Sequence, residues 1–284
     1  MSPSAVRVGP SAMRVGFIGL GSQGGPMAQR IVDAGHPTTL WARRPATLEP
    51  FAGTGAAVAA SPAELARGSD LVCVCVVDDA GVEEVLSGED GVLAGLADGA
   101  VIAVHSTVHP DTCRRLAAEA EKQGVALIDA PVSGGGPAAA EGRLLVMAGG
   151  EEETVERCRP VFASYGDPIV HTGPLGSGQV AKLLNNLLFT ANLATASTAL
   201  ALGRALDVDP GGLAEVVSRG SGASFALDRV APTGGSLDRL AAYAGGLLRK
   251  DVGLIAGIAD AAGAEAGAVL DAADAALALM RHPR

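Results

Sequence analysis

The sequence predicts an α/β unit built on a largely parallel sheet, then an all-α unit, with one long helix joining them. Three observations lead there. From Met13 to about residue 172, short apolar runs alternate with amphipathic segments, as βαβ units require. After Gly178 no segment reads as a strand, and the chain is Ala- and Leu-rich helix. Between the two lies the glycine-rich GPLGSG, residues 173–178. The expected organisation is a loose tail over 1–12, an α/β domain over 13–175 and an all-α domain over 176–284. The length of 284 residues is enough for two cores of ordinary size.

The expected strands are RVGFIG, TTLWA, LVCVCVV, AVIAVHS, VALIDA, RLLVMAG and PIVHT. SPAE (61–64) is a capping box with proline at the first helical position. PDTCRRLAAEAEKQG (110–124) is amphipathic and closes on Gly124. EEETVERCRPVFASYG (151–166) opens with three acids at its positive end and carries Pro160 as a possible kink. In the second half a helix runs from about 179 to 206, and Asp209 caps another that starts at Pro210. Two more are expected near 237–262 and 268–281.

Composition narrows the function classes. The chain is 48% hydrophobic, so it folds to a globule, and only 3% aromatic, so its cores rest on Ala, Val, Leu and close approach at Gly. Its net charge is −10, with no basic run, which argues against nucleic acid or an anionic membrane as partner. The four cysteines have no zinc spacing. Cys73 and Cys75 stand two apart on a strand and cannot form a relaxed disulfide, so buried thiols in a reducing cytoplasm are expected. The N-terminal MSPSAVRVGPSA has no apolar core of a signal peptide. Residues 187–203 are apolar, but Asn192 and several Thr and Ser make them a buried helix, not a membrane span.

The first strand runs into GFIGLGSQGGPMA, where Gly19, Gly21 and Gly24 form G-x-G-x-x-G between a strand and a helix. Such a turn lets a pyrophosphate reach the helix N-terminus, and Leu20, Ser22 and Gln23 complete it. This makes the first domain a Rossmann-type dinucleotide-binding domain. At the end of the second strand an NAD site places an acid; here Ala42, Arg43 and Arg44 follow one another, with no carboxylate to repel a 2′-phosphate. NADP is therefore the expected cofactor, with NAD possible.

DAPVSGGGPAAAEG (129–142) follows a strand and offers the Ser133 hydroxyl with the unhindered N–H groups of Gly134 and Gly135. It reads equally as a nest for a small carboxylate or as a flexible loop. In GSGQVAKLLNNLL (176–188), Val180, Leu183, Leu184, Leu187, Leu188 and Ala191 form one apolar stripe at 100° per residue. Lys182 falls opposite it, with Asn185 and Asn186 one turn on. By pattern alone Lys182 is a surface lysine; its place at the domain junction, after a phosphate fingerprint, makes it a candidate proton-transfer group. Lys250 and Asp251 stand in a further apolar helix, where the pattern reads equally as a surface ion pair or helix charges and as a functional pair.

Taken in order, these motifs resemble the β-hydroxyacid dehydrogenase family over nearly the whole chain, in the 6-phosphogluconate dehydrogenase type of fold. The resemblance implies cofactor binding at the first motif, substrate binding by the segment Asp129 to Gly135, and a catalytic lysine at Lys182 in the stretch Gly173 to Asn185. It places Ser106 and Thr107 by the nicotinamide ribose, Val76 and Val77 on the adenosine side, and Lys250 and Asp251 by the nicotinamide and substrate. The chain departs from the family pattern at Gln23 (usually Met), Arg30 (usually Asn) and Val77 (usually Pro). It departs again at His105, where a carboxylate or small residue is common; that histidine is expected to be structural.

The implied reaction is oxidation of a small 3-hydroxy acid to its semialdehyde or oxo acid, as in 3-hydroxyisobutyrate dehydrogenases. Lys182 would be the general acid–base group, with its pKa lowered by burial and by Lys250, and Asn186, then Asn185, would orient it. Ser133, Gly134 and Gly135 would hold the carboxylate. An imine reductase is the nearest alternative, and such enzymes usually lack this lysine and the S-G-G motif. A non-catalytic NADP-binding module is the other. No metal is implied. The long helix, ~42 Å at 1.5 Å per residue, has an Ala/Thr/Ser-rich second half suited to self-association as a homodimer or homotetramer.

Overall fold

The computed structural model describes residues 12–284, so the tail expected over 1–12 lies, up to residue 11, outside the described residues. The chain forms two compact units that part inside one helix: the first ends at Lys182 and the second runs from Leu183 to Arg284.

In the first unit the strands are β1 (Val15–Ile18), β2 (Thr38–Trp41), β3 (Ala57–Val58), β4 (Leu71–Val74), β5 (Val101–Val104), β6 (Ala126–Asp129), β7 (Val132–Ser133), β8 (Leu144–Gly149) and β9 (Gly166–Gly173). Their helices are α1 (Gly24–Asp33), α2 (Pro62–Arg67), α3 (Asp79–Ser87), α4 (Pro110–Glu121), α5 (Gly135–Ala140) and α6 (Glu152–Phe162). The sheet runs β3-β2-β1-β4-β5-β6-β8-β7, with β9 beside β8. Pairing is parallel from β3 to β6; β8 turns antiparallel to β6 and β7, and β9 returns parallel to β8.

The continuous apolar strands bury both faces, as parallel strands covered by helices do. Val15, Phe17, Cys73, Val101 and Ala103 point into one core with Met27, Ile31 and Phe162. Ile18, Val72, Val74, Ile102 and Val104 point into the other with Leu65, Leu86 and Leu116. The alternation follows from the period of two along a strand. The capping box at Ser61 forms with a shift: Ser61 Oγ accepts the Glu64 N–H, while Glu64 reaches the N–H of Ala60, one residue before the cap.

The second unit is helical: the greater part of α7 (Ser177–Ala205), then α8 (Pro210–Arg219), α9 (Phe225–Val230), α10 (Asp238–Ala261) and α11 (Gly267–Leu279). Asp209 caps α8 through the Gly212 N–H, as its position before Pro210 implies. The short α9 is not marked in the sequence by any apolar period.

The buried face of α7 differs from the expected stripe. Leu184 and Leu188 are 50% and 54% exposed, whereas Lys182, at 9%, lies on the buried side with Gln179, Leu183, Leu187, Thr190 and Ala191. At 100° per residue the buried arc is turned by roughly 90° from the apolar stripe. A helix apolar nearly all round does not specify which face is covered, and the packing of its first turn decides it.

One buried polar group has a measurable consequence. The His105 ring, stacked on Phe17, donates from Nδ1 to the Ala130 carbonyl at 2.6 Å, so Nε2 is the acceptor for the Tyr165 hydroxyl at 3.1 Å. Burial lowers the ring pKa from 6.5 to about 4, against the weaker opposing effect of the Ala130 bond. On acidification the unfolded chain takes up this proton first, so stability falls between those two pH values, by ~3 kcal/mol in all, and levels off below them. His105→Gln, measured beside the parent by thermal melts from pH 7 to 4, is expected to lose that component of the slope. A stability difference between the two proteins that does not change with pH would refute it.

Candidate functional site

β1 ends at Ile18, and the turn from Gly19 to Gln23 delivers the chain to α1 at Gly24. Gly19 has φ +100°, and a Cβ there would stand 2.1 Å from the Cys75 carbonyl oxygen, so the turn admits only glycine. It lies at the carboxyl end of β1 beside β4, where the strand order reverses, the place at which open α/β sheets bind ligands. A cavity of ≈ 730 Å³ opens there, lined by Gly19, Leu20, Gly21, Arg43, Arg44, Val76 and Val77. Ser22, Gln23 and Gly24 continue the turn behind it; Ser22 is exposed, and Gln23 Nε2 lies 3.9 Å from Met27 Sδ. The cradle at Gly19, the cavity and the two arginines fit a dinucleotide with its phosphates at the start of α1.

One expectation here is corrected. A carboxylate does face the arginine pair: Glu84 of α3 lines the same cavity, with Oε2 3.7 Å from Arg43 Nη1. The end of β2 holds Ala42 and no acid; Glu84 stands 42 residues further on, in α3. Trp41 also lines the cavity. Sequence reasoning looked only along β2; the acidic DDAGVEE after β4 was the available signal.

Beyond β4, Ser106 Oγ accepts the Val76 N–H at 2.8 Å, which ties the loop after β4 to the loop after β5. Thr107 is partly buried between Ser106 and Val108. The segment 129–142 is not a flexible loop. Ser133 pairs antiparallel with Leu145, and Gly134 and Gly135, with φ of 133° and 76°, lead into α5 as exposed backbone. Asp129, the first residue of that segment, is fully buried and turned away from it. Its Oδ1 accepts the Gly176 N–H at 2.6 Å and its Oδ2 the Gln179 N–H at 2.7 Å. Burial raises the Asp129 pKa, and these two N–H groups oppose that rise. Gln179, which sequence reasoning passed over, stands three residues before Lys182 on α7.

Within the helical unit, Asn185 Nδ2 donates to Asn186 Oδ1 at 3.1 Å, and Asn186 Nδ2 donates to Asp251 Oδ2 at 2.6 Å. Lys250 Nζ pairs with Asp251 Oδ1 at 3.2 Å. The surface ion pair is therefore set aside: Asp251 is buried at 4% exposure and anchors both an amide and an ammonium. Phe225 is exposed, packed against Phe189 and covered by the Arg229 guanidinium at 4.6 Å. Among the described residues no cluster of His, Cys, Asp or Glu would hold a metal ion, and no helix is long and apolar enough to cross a membrane.

Comparison with known proteins bears on both units. Residues 14–173 match the family model of the NAD binding domain of 6-phosphogluconate dehydrogenase. Residues 176–282 match that of the NAD-binding region of NADP-dependent 3-hydroxyisobutyrate dehydrogenase. An NAD-dependent L-serine dehydrogenase from Pseudomonas aeruginosa is 37% identical over 248 residues, covering 85% of this chain and 83% of that one. A 3-hydroxyisobutyrate dehydrogenase from the same organism is 38% identical over 84% and 83%. The solved structure of Mycobacterium tuberculosis 3-hydroxyisobutyrate dehydrogenase with L-serine superposes with a TM-score of 0.83, at 30% identity, over 93% of this chain and 92% of that one.

Arg43 and Glu84 put opposite charges on one wall of the cavity. Removing the carboxylate charge with Glu84→Gln is expected to tighten NADP⁺ relative to NAD⁺ by roughly three- to tenfold, and Arg43→Ala to move the ratio the other way. Calorimetric titration of both dinucleotides measures it, and an unchanged ratio in Glu84→Gln would show that the acid does not act on the 2′-position.

Proposed function

Because the chain belongs to the β-hydroxyacid dehydrogenase family, whose members are NAD(P)-dependent enzymes acting on CH–OH donors, we propose that Lys182 is its general acid–base group. We propose with it that the substrate is a small 3-hydroxy acid. The observation that carries this reading is the burial of Lys182 on α7, five residues after a helix start held by Asp129. Bound nicotinamide supplies the two-electron acceptor. As the hydroxyl carbon gives up hydride, Lys182 takes the hydroxyl proton, leaving the carbonyl product; in the reverse direction Lys182 returns that proton to the forming alcohol.

The remaining roles follow from the same reading. Gly19 to Gly24, Arg43, Arg44, Val76, Val77 and Thr107 serve the dinucleotide, with Lys250 at its nicotinamide end. Ser133, Gly134 and Gly135 take the substrate carboxylate. Asn186, with Asn185 beside it, presents amide groups one turn beyond Lys182 on the same helix, and Asp251 fixes their orientation. Cofactor binding belongs to residues 13–175, and substrate selection and self-association to 176–284. L-serine and 3-hydroxyisobutyrate, on which the relatives act by name, are the first compounds to test. The buried free thiols of Cys73, Cys113 and Cys158 suit a reducing cytoplasm.

Two experiments test this. Lys182→Ala should lower turnover of 3-hydroxy acids by on the order of 10²–10⁴ while dinucleotide affinity is kept. Full turnover in that variant would end the proposal, and activity on cyclic imines alone would replace it with an imine reductase. Leu202 on α7 and Leu206 just past its end are 60% and 66% exposed, which supports a homodimer or homotetramer. Sedimentation equilibrium should then show two or four chains, and a monomer would refute the assembly.

A further inference from the structure

Gln179 is fully buried and uses both ends of its amide. Nε2 donates to the Ser106 carbonyl at 2.8 Å, and Oε1 accepts the Val108 N–H at 3.0 Å. It therefore grips the backbone on both sides of Thr107. Its own N–H is held by Asp129 Oδ2, while Asp129 Oδ1 holds the Gly176 N–H. With α7 starting at Ser177, those are the N-cap and N3 donors, the two that a local capping box would satisfy. Here one carboxylate from the end of β6 satisfies both. Space for it is reserved, since a Cβ at Gly178 would fall 2.9 Å from Asp129 Oδ2 and 2.3 Å from the Met147 carbonyl oxygen.

Ser106 is in turn bonded to the Val76 N–H. One chain of hydrogen bonds thus runs from the loop after β4, through the backbone flanking Thr107, to the first turn of α7. Lys182 is the next residue of that helix on the side of Gln179. None of these bonds is exposed enough to be exchanged for water without cost, so the chain is stiff.

The geometry points to Asp129 and Gln179 as positioning residues that set Lys182 in register with the dinucleotide. This deepens the proposed function and rests on its reading of Lys182 as the acid–base group. Neither residue touches the reacting atoms. Their effect is to hold the residues around Thr107 and the start of α7 in one frame, so that the proton acceptor meets the hydroxyl where hydride departs. Misplacing such a group by about 1 Å is enough to cost roughly 10²-fold in rate.

The test is a double-mutant cycle on the full-length protein, with 3-hydroxyisobutyrate and NAD⁺ or NADP⁺ as probes. Gln179→Met fills the same space without the hydrogen bonds. It is expected to lower kcat by about 10- to 100-fold, with KM for the hydroxy acid and dinucleotide affinity held within a few-fold, and to shift the acid limb of the kcat/KM pH profile. In a Lys182→Ala background, the same substitution should cost almost nothing further, because it acts through Lys182. Full activity of Lys182→Ala alone would overturn the acid–base reading itself. A strongly impaired Lys182→Ala in which Gln179→Met adds its whole loss again would leave that reading standing and overturn the positioning role. An unshifted pH profile with kcat intact would overturn it too. Should Gln179→Met fail to fold, Asp129→Asn takes its place in the same cycle, with the same outcomes deciding.

Discussion

A carboxylate without access to water must find its hydrogen-bond donors in the protein, and Asp129 finds them at the start of α7. That single requirement shapes the end of the sheet. β6 stops at Asp129, its one pairing with β8 is at Gly149, and the helix that follows β9 begins where its first N–H groups meet the acid. Burial alone would favour the protonated acid, while the two short bonds favour the charge. Either way the carboxyl is bound to one place. Through it, Lys182 acquires a location relative to the sheet that no property of α7 by itself provides.

The dinucleotide site depends on a different constraint, the close approach of two backbones. Gly19 passes the Cys75 carbonyl at a distance that forbids any side chain, and the crossing occurs where the chain reverses direction across the sheet. Everything else around the cavity varies within that frame. The arginines after β2 and Glu84 on α3 come from separate elements, so the charge on this wall of the cavity is a balance between them. His105 shows how the frame is stiffened beneath: an uncharged ring links the Ala130 carbonyl to the Tyr165 hydroxyl inside the core.

Particular residues show how far the sequence could be read. Seven expected strands are present, and in β1, β4 and β5 a run of apolar residues buried on both faces carries its own signature. The two-residue strands β3 and β7 carry none. Serine and glycine at 133–135 pointed to an anion nest or to a flexible loop, and pairing with β8 excluded the loop. On α7 the expected stripe was only half right: Leu183, Leu187 and Ala191 are buried, while Leu184 and Leu188 are exposed and Lys182 is buried. The pattern around Asp251 left a surface pair open, and Asn186, 65 residues before it, gives it a buried role.

Local pattern alone determined the order of the seven longer strands and of the main helices among them, the Gly19–Gly24 turn, the caps at Ser61 and Asp209, and the family to which these motifs point. Each is written in neighbouring residues, because the forces behind it act over a few bonds: side-chain period, glycine's backbone freedom, and the unpaired N–H groups of a helix start. Only the tertiary structure decided which face of α7 is buried, which acid meets Arg43, and that Asp129 and Gln179 brace the helix carrying Lys182. Those outcomes rest on hydrogen bonds and charges between residues 41 to 73 positions apart. Buried polar groups take whichever partner folding brings within reach, and the separation along the chain does not reveal that partner.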